Sequence, residues 1–95
     1  MYLPCTIAGV NINCLIDTGA NTSIIHPKKY YSIPDSVRAG LKGVTNDIRL
    51  ADGARIQPLG EVTLSFVIFE VGTLYQKFLV AETNEPLVLG YDFFS

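Results

Sequence analysis

The segment Glu61–Glu70, EVTLSFVIFE, alternates apolar and polar side chains. Val62, Leu64, Phe66 and Ile68 share one face, while Thr63 and Ser65 begin the other. A period of two is that of a strand with one buried side. Such a strand must cover that side with another layer.

The rest of the chain is written the same way, as short apolar runs divided by turn residues. Leu3–Ile7 and Ile12–Ile16 flank Ala8-Gly9-Val10-Asn11, which predicts a hairpin with a four-residue connection. Ser23–Ile25 reads as a short strand, and His26–Tyr31 as one helical turn with Pro27 at its first position. A polar loop with Pro34, Asp35 and Gly40 follows. Asp52-Gly53 then lies between two extended arms spanning Asp47–Gln57, a strong hairpin signal. After Glu61–Glu70, Gly72 is expected to turn the chain into a strand over Leu74–Val80. The loop Glu82–Pro86 leads to the buried run Leu87–Gly90, and Tyr91–Ser95 closes the chain as a short helix. The expected class is all-β, with closed or packed sheets, in a single domain over residues 1–95.

Composition narrows the function classes. Seven basic against nine acidic residues, a net charge of -2, provide no basic surface for nucleic acid. No apolar run reaches the roughly 18 residues of a membrane span, and no basic region with an apolar block marks a leader at the N-terminus. Cys5 and Cys14 are too few for a disulfide framework and have no partners at zinc spacing, so two buried reduced thiols are expected, with no metal and no cofactor. A redox or metal site on these two cysteines would need a third ligand that the chain does not offer.

The acid-bearing stretch is Cys14-Leu-Ile-Asp-Thr-Gly-Ala-Asn-Thr-Ser-Ile-Ile25, with Asp17 at the end of an apolar run. Hydrolysis of an amide by carboxylates takes two of them sharing one proton, one as base and one as acid. The chain offers one suitable acid. A two-fold dimer presents the same patch twice and would bring a second Asp17. Thr18 is suited to hydrogen-bond across such an axis, and Gly19 lets the backbone bend until its N–H reaches the carboxylate.

Leu15-Ile-Asp-Thr-Gly-Ala20 and Leu87-Val-Leu-Gly90 resemble the two signatures of retropepsin-like aspartic proteases, and the Asp52-Gly53 hairpin falls where that family carries its flap. The resemblance covers the whole chain. It is nearest in flavour to the proteases of long-terminal-repeat retrotransposons, and second to the DNA-damage-inducible type. It implies a closed β-barrel with a flap hairpin and one short C-terminal helix. It implies a homodimeric aspartic endopeptidase that cuts a Gag-Pol-like polyprotein, located in the cytoplasm or in an intracellular virus-like particle. Its catalytic residues would be Asp17, which activates water, Thr18, which grips its symmetry mate, and Gly19. Ala20, Ile24, Pro86 and Val88 would line the cleft, and Ala51, Asp52, Gly53 and Ala54 would form the flap tip over an extended polypeptide substrate. Leu89 and Gly90 would pack beneath the active-site turn.

Two departures from the family pattern stand out. Asn21 and Tyr91 occupy the places where many viral relatives carry an ion pair; Asp92 is expected to bond Thr22 or Ser23, or to cap the last helix. Only 16 residues precede Asp17 and five follow Gly90, so the outer parts of the interleaved terminal strands are expected to be missing and the dimer contact weakened. Ala20 has no hydroxyl to offer an ionised Asp17, which places the expected activity optimum at about pH 5 to 6. Plain readings accompany the rest: His26 as a helix-start or surface residue, Lys28-Lys29 as a solvated face, Tyr30 and Tyr31 as core and rim, and Phe93 and Phe94 as core or exposed patch. The rival to the enzyme is a catalytically silent dimerisation or peptide-binding module.

Overall fold

Strands β1 (Tyr2–Ile7) and β2 (Val10–Ile16) form the first hairpin, in register from Tyr2 opposite Leu15 to Ile7 opposite Val10. The computed structural model describes residues 1–34, 38, 40–43, 48–49, 53 and 55–94. It turns this hairpin on Ala8 and Gly9 alone, half the expected connection. Both turn residues have positive φ, 51° and 82°, the type I′ pattern, whose twist matches that of the strands and so lets Val10 and Asn11 join the ladder. The chain continues through β3 (Ile24–Ile25), α1 (Pro27–Ser32), β4 (Ile48–Arg49), β5 (Arg55–Ile56), β6 (Gly60–Ile68), β7 (Gly72–Val80), β8 (Leu87–Leu89) and α2 (Tyr91–Phe94).

Six strands close a barrel in the order β1-β2-β8-β3-β7-β6, while β4 and β5 pair as a separate hairpin. The all-β closed barrel, a hairpin between β4 and β5 and the short C-terminal helix are thus as expected, and α1, six residues long, is the helical turn expected over His26–Tyr31, shifted by one residue.

The alternation in β6 does what the sequence requires: Val62, Leu64, Phe66 and Ile68 are buried, and Thr63, Ser65 and Val67 are exposed. The strand stops at Ile68 instead of Glu70, because the Val71 N–H folds back to the Ile68 carbonyl at 3.0 Å with Glu70 at φ 68°. Positive φ at the third residue only is the type II pattern. Gly72 therefore opens β7 opposite Ile68, two residues before the expected start at Leu74.

Inside the barrel Phe66 meets Phe78 edge-on at 5.8 Å between ring centroids and Phe93 at 5.9 Å. Removing a buried Phe costs about 3–5 kcal/mol. The exposed Lys77–Glu61 pair, at 3.7 Å, contributes under about 1 kcal/mol, so apolar packing and not surface charge holds the barrel. Cys5 and Cys14 are buried free thiols, as expected. His26 caps α1, its Nδ1 accepting from the Lys28 N–H at 3.0 Å. Tyr30 is buried beneath the helix and Tyr31 is exposed, the core and rim of the sequence reading. Phe93 is half-buried against the core, whereas Phe94 is exposed.

A second, smaller apolar cluster joins Ala20, Ile24, Ala81 and Val88, with Leu79 against it. Strand alternation puts Ile24 and Val88 on the opposite side of β3 and β8 from Ile25, Leu87 and Leu89, which belong to the main core.

Candidate active site

The parallel pair β2–β8 sets Ile16 opposite Leu89, so both strands leave the sheet at one place. There the Asp17 N–H donates to the Leu89 carbonyl at 3.0 Å. The Asp17 carbonyl accepts from the Ala20 N–H at 3.1 Å, and Oδ1 accepts from the Gly19 N–H at 3.0 Å. A short acceptor side chain two residues ahead of a free N–H is why Asp suits this turn. The reach of the Gly19 N–H to the carboxylate is as expected. Asp17 is half-buried, while Thr18 and Gly19 are exposed.

Gly90 closes the site from below. A Cβ there would meet the carbonyl oxygens of Thr22 at 2.7 Å and Ala20 at 2.8 Å, so only glycine lets the two segments pass this closely. The Tyr91 N–H donates to the Ala20 carbonyl at 2.8 Å. Asp92, in the first turn of α2 and not at its cap, takes the Ser23 hydroxyl on Oδ1 at 2.7 Å and the Ser23 N–H on Oδ2 at 3.2 Å. Its bond to Ser23 is one of the expected alternatives.

Of the residues expected to line the cleft, Ala20, Ile24 and Val88 come together in the second cluster, with Val88 directly opposite Ile24. Ile24 is wholly covered within one chain, so its contact is with its neighbours in the cluster. Pro86 is half-buried; it borders a different groove, of about 500 Å³, with Pro4, Asn13 and Lys29, and its carbonyl accepts from the His26 N–H at 3.0 Å. Gly53, between β4 and β5, is exposed with φ 87°. Ala51, Asp52 and Ala54 lie outside the described residues. Ala81 joins the cluster and Gln76 reaches Asp92 at 3.2 Å. Neither carries a local sequence signal, because the parallel pairing of β3 with β7 that delivers them is long-range. Among the described residues no group of three or more His, Cys, Asp or Glu is arranged to hold a metal ion.

No family model matches the chain. The retroviral protease-like domain of Ddi1 from Leishmania major superposes over 98% of this chain and 70% of its own, at 23% identity and a TM-score of 0.72. The protease of Simian Foamy Virus (mac) superposes over 97% of this chain and 89% of its own, at 15% identity and a TM-score of 0.59. Its closed six-stranded barrel and these two likenesses give the chain a retropepsin-like fold.

Proposed function

We propose that this chain is an aspartic endopeptidase that acts as a homodimer, each protomer contributing Asp17 to a shared pair of carboxylates. The observation that carries the reading is the setting of Asp17. It is a half-buried acid at the end of β2, oriented by the Gly19 N–H in a retropepsin-like barrel. One such acid per chain is half of what the chemistry needs, and a two-fold axis supplies the other half.

Two carboxylates at about 3 Å cannot both ionise, so they hold one proton between them. The ionised one takes a proton from water as the water oxygen attacks the peptide carbonyl carbon. The protonated one gives its proton to the carbonyl oxygen, which produces a neutral tetrahedral diol. Collapse returns a proton to the leaving nitrogen and restores the pair. Thr18, next to the acid and exposed, is the residue for the cross-axis grip. Ala20 and Val88 support the floor of the cleft, and the β4–β5 hairpin with Gly53 is the flap. The substrate is an extended polypeptide with large apolar residues flanking the scissile bond, within a Gag-Pol-like polyprotein, in the cytoplasm or a virus-like particle.

The test is an apolar-rich peptide library incubated with the protein at about pH 5, alongside Asp17→Asn. Cleavage by the wild type that vanishes in Asp17→Asn supports the enzyme. Silence of a sample that sedimentation finds dimeric would favour the non-catalytic module instead.

A further inference from the structure

Every polar group of Ser23 has a hydrogen-bond partner. Its hydroxyl accepts from the Gly90 N–H at 3.1 Å and donates to Asp92 Oδ1 at 2.7 Å. Its N–H donates to Asp92 Oδ2 at 3.2 Å, and its carbonyl accepts from the Leu79 N–H at 3.0 Å. Gln76 Nε2 donates to the same Asp92 Oδ2 at 3.2 Å. Ser23 is fully buried, so leaving any of these bonds unmade would strand a polar group away from water. One side chain on α2 thus gathers the end of the 17–23 turn, the middle of β7 and, through the Ser23 hydroxyl, the Gly90 backbone.

We infer that Asp92 is a positioning residue for Asp17. This rests on the protease reading and adds what sets the acid's place. The segment 17–23 is held at its start by Asp17 N–H on Leu89 and at its middle by Ala20 on the Tyr91 N–H. Its far end is held through Asp92. A hydroxyl has one proton; with the Gly90 N–H on its oxygen, Ser23 directs that proton to Asp92. Among the described residues three donors converge on two carboxylate oxygens, an arrangement an amide cannot match, since its NH₂ would face a donor or take the place of an acceptor. Bonds to a carboxylate are about twice as strong as neutral ones, which suits a clamp on an exposed turn. The clamp matters to chemistry because two copies of Asp17 must meet within hydrogen-bond distance across an axis. A misplacement of about 1 Å costs about 100-fold in rate.

The experiment compares Asp92→Ala, Asp92→Asn and Ser23→Ala with the wild type and Asp17→Asn, each at a concentration that sedimentation shows to be dimeric. Two quantities are read: kcat and KM on one peptide, and backbone amide exchange by NMR at Gly19 and Ala20, with Leu64 and Phe78 as core references. Asp92→Ala is expected to lower kcat by about 100-fold with KM changed by less than about threefold. Exchange should quicken at Gly19 and Ala20 and hold steady at Leu64 and Phe78. Asp92→Asn, which keeps one acceptor oxygen, should recover part of the rate. Unchanged exchange at Gly19 and Ala20 in Asp92→Ala overturns the inference, as does a kcat loss that merely follows the folded fraction. A wild type that cleaves nothing, or an Asp17→Asn that cleaves equally, overturns the protease reading instead; the amide measurement still decides whether Asp92 holds the turn.

Discussion

A Cβ built on Gly90 lies 2.7 Å from the carbonyl oxygen of Thr22. Both partners are backbone, so neither can swing aside. Overpacking of this kind costs about 1–3 kcal/mol, and the upper half of that range is expected for Gly90→Ala. Gly40, around which a Cβ would meet nothing within 4 Å, is the control. Urea unfolding of both variants checks this. A Gly90→Ala midpoint equal to that of Gly40→Ala would mean that the crossing of the two segments is looser than described.

That crossing marks where sequence reasoning stops. Patterns with a short period were readable: the alternation of β6, the two hairpins, the Asp17 turn with Gly19 beside it, and the buried Leu87–Leu89. Each depends on neighbours within a few residues. The boundaries that moved did so at turns, where Ala8 and Glu70 take positive φ that local propensity assigns to Gly or Asn. The pairings that build the site are of another kind. β2 lies parallel to β8 and β3 parallel to β7, and nothing local in Cys14–Ile16 points to Leu87–Leu89. Leu79 and Ala81 therefore reach Ala20's cluster, and Gln76 reaches Asp92, unannounced, through a long-range contact. Asp92 was legible as a partner for Thr22 or Ser23 only because the resemblance placed Leu89 and Gly90, just ahead of it, beneath the turn.

Ala8 and Glu70 carry a cost that substitution should release. The left-handed region disfavours L-residues by about 1–2 kcal/mol, while glycine forfeits about 0.5–1 kcal/mol in chain entropy. Glu70→Gly is thus expected to stabilise by about 0.5 kcal/mol, a Tm rise of about 2–4 °C for a domain this size. Ala8→Asn creates Asn-Gly at the type I′ turn and should act in the same direction. Ser65→Gly, on the exposed side of β6, should lower Tm. A fall in Tm for Glu70→Gly would contradict the turn assignment.

His26 offers an independent check on α1. Its Nδ1 accepts from the Lys28 N–H at 3.0 Å, and Pro27 follows at the first helical position. Ala at the cap leaves that N–H without its side-chain acceptor and should cost about 1 kcal/mol; Asn should keep most of it. Chemical denaturation of His26→Ala and His26→Asn separates the cap from simple packing. If both lose the same stability, the ring's contacts and not its nitrogen hold the helix start.

The two buried thiols make a prediction about alkaline pH. Burial pushes Cys5 from its ordinary 9.0 up to about 11. Burial, with a smaller contribution from the neighbouring Cys5, pushes Cys14 to about 12 against a weak opposing bond at Leu89. Both folded values are raised, so the unfolded chain releases its thiol protons first as pH climbs. Between 9.0 and the folded values the native state binds more protons than the unfolded one, and stability falls with pH. The contribution is complete below about 9 and is lost as pH rises through about 11 and about 12. The chain's five tyrosines also titrate in this range, so the informative quantity is a difference in slopes. Urea midpoints from about pH 7.5 to about pH 10.5 are compared for the wild type and the Cys5→Ala, Cys14→Ala double variant. The double variant should begin less stable, since its core has lost two sulfur atoms, yet decline more shallowly above about pH 9. Parallel declines would show that the thiols are ionising in the folded barrel, which their burial among Ile7, Ile12 and Leu87 opposes.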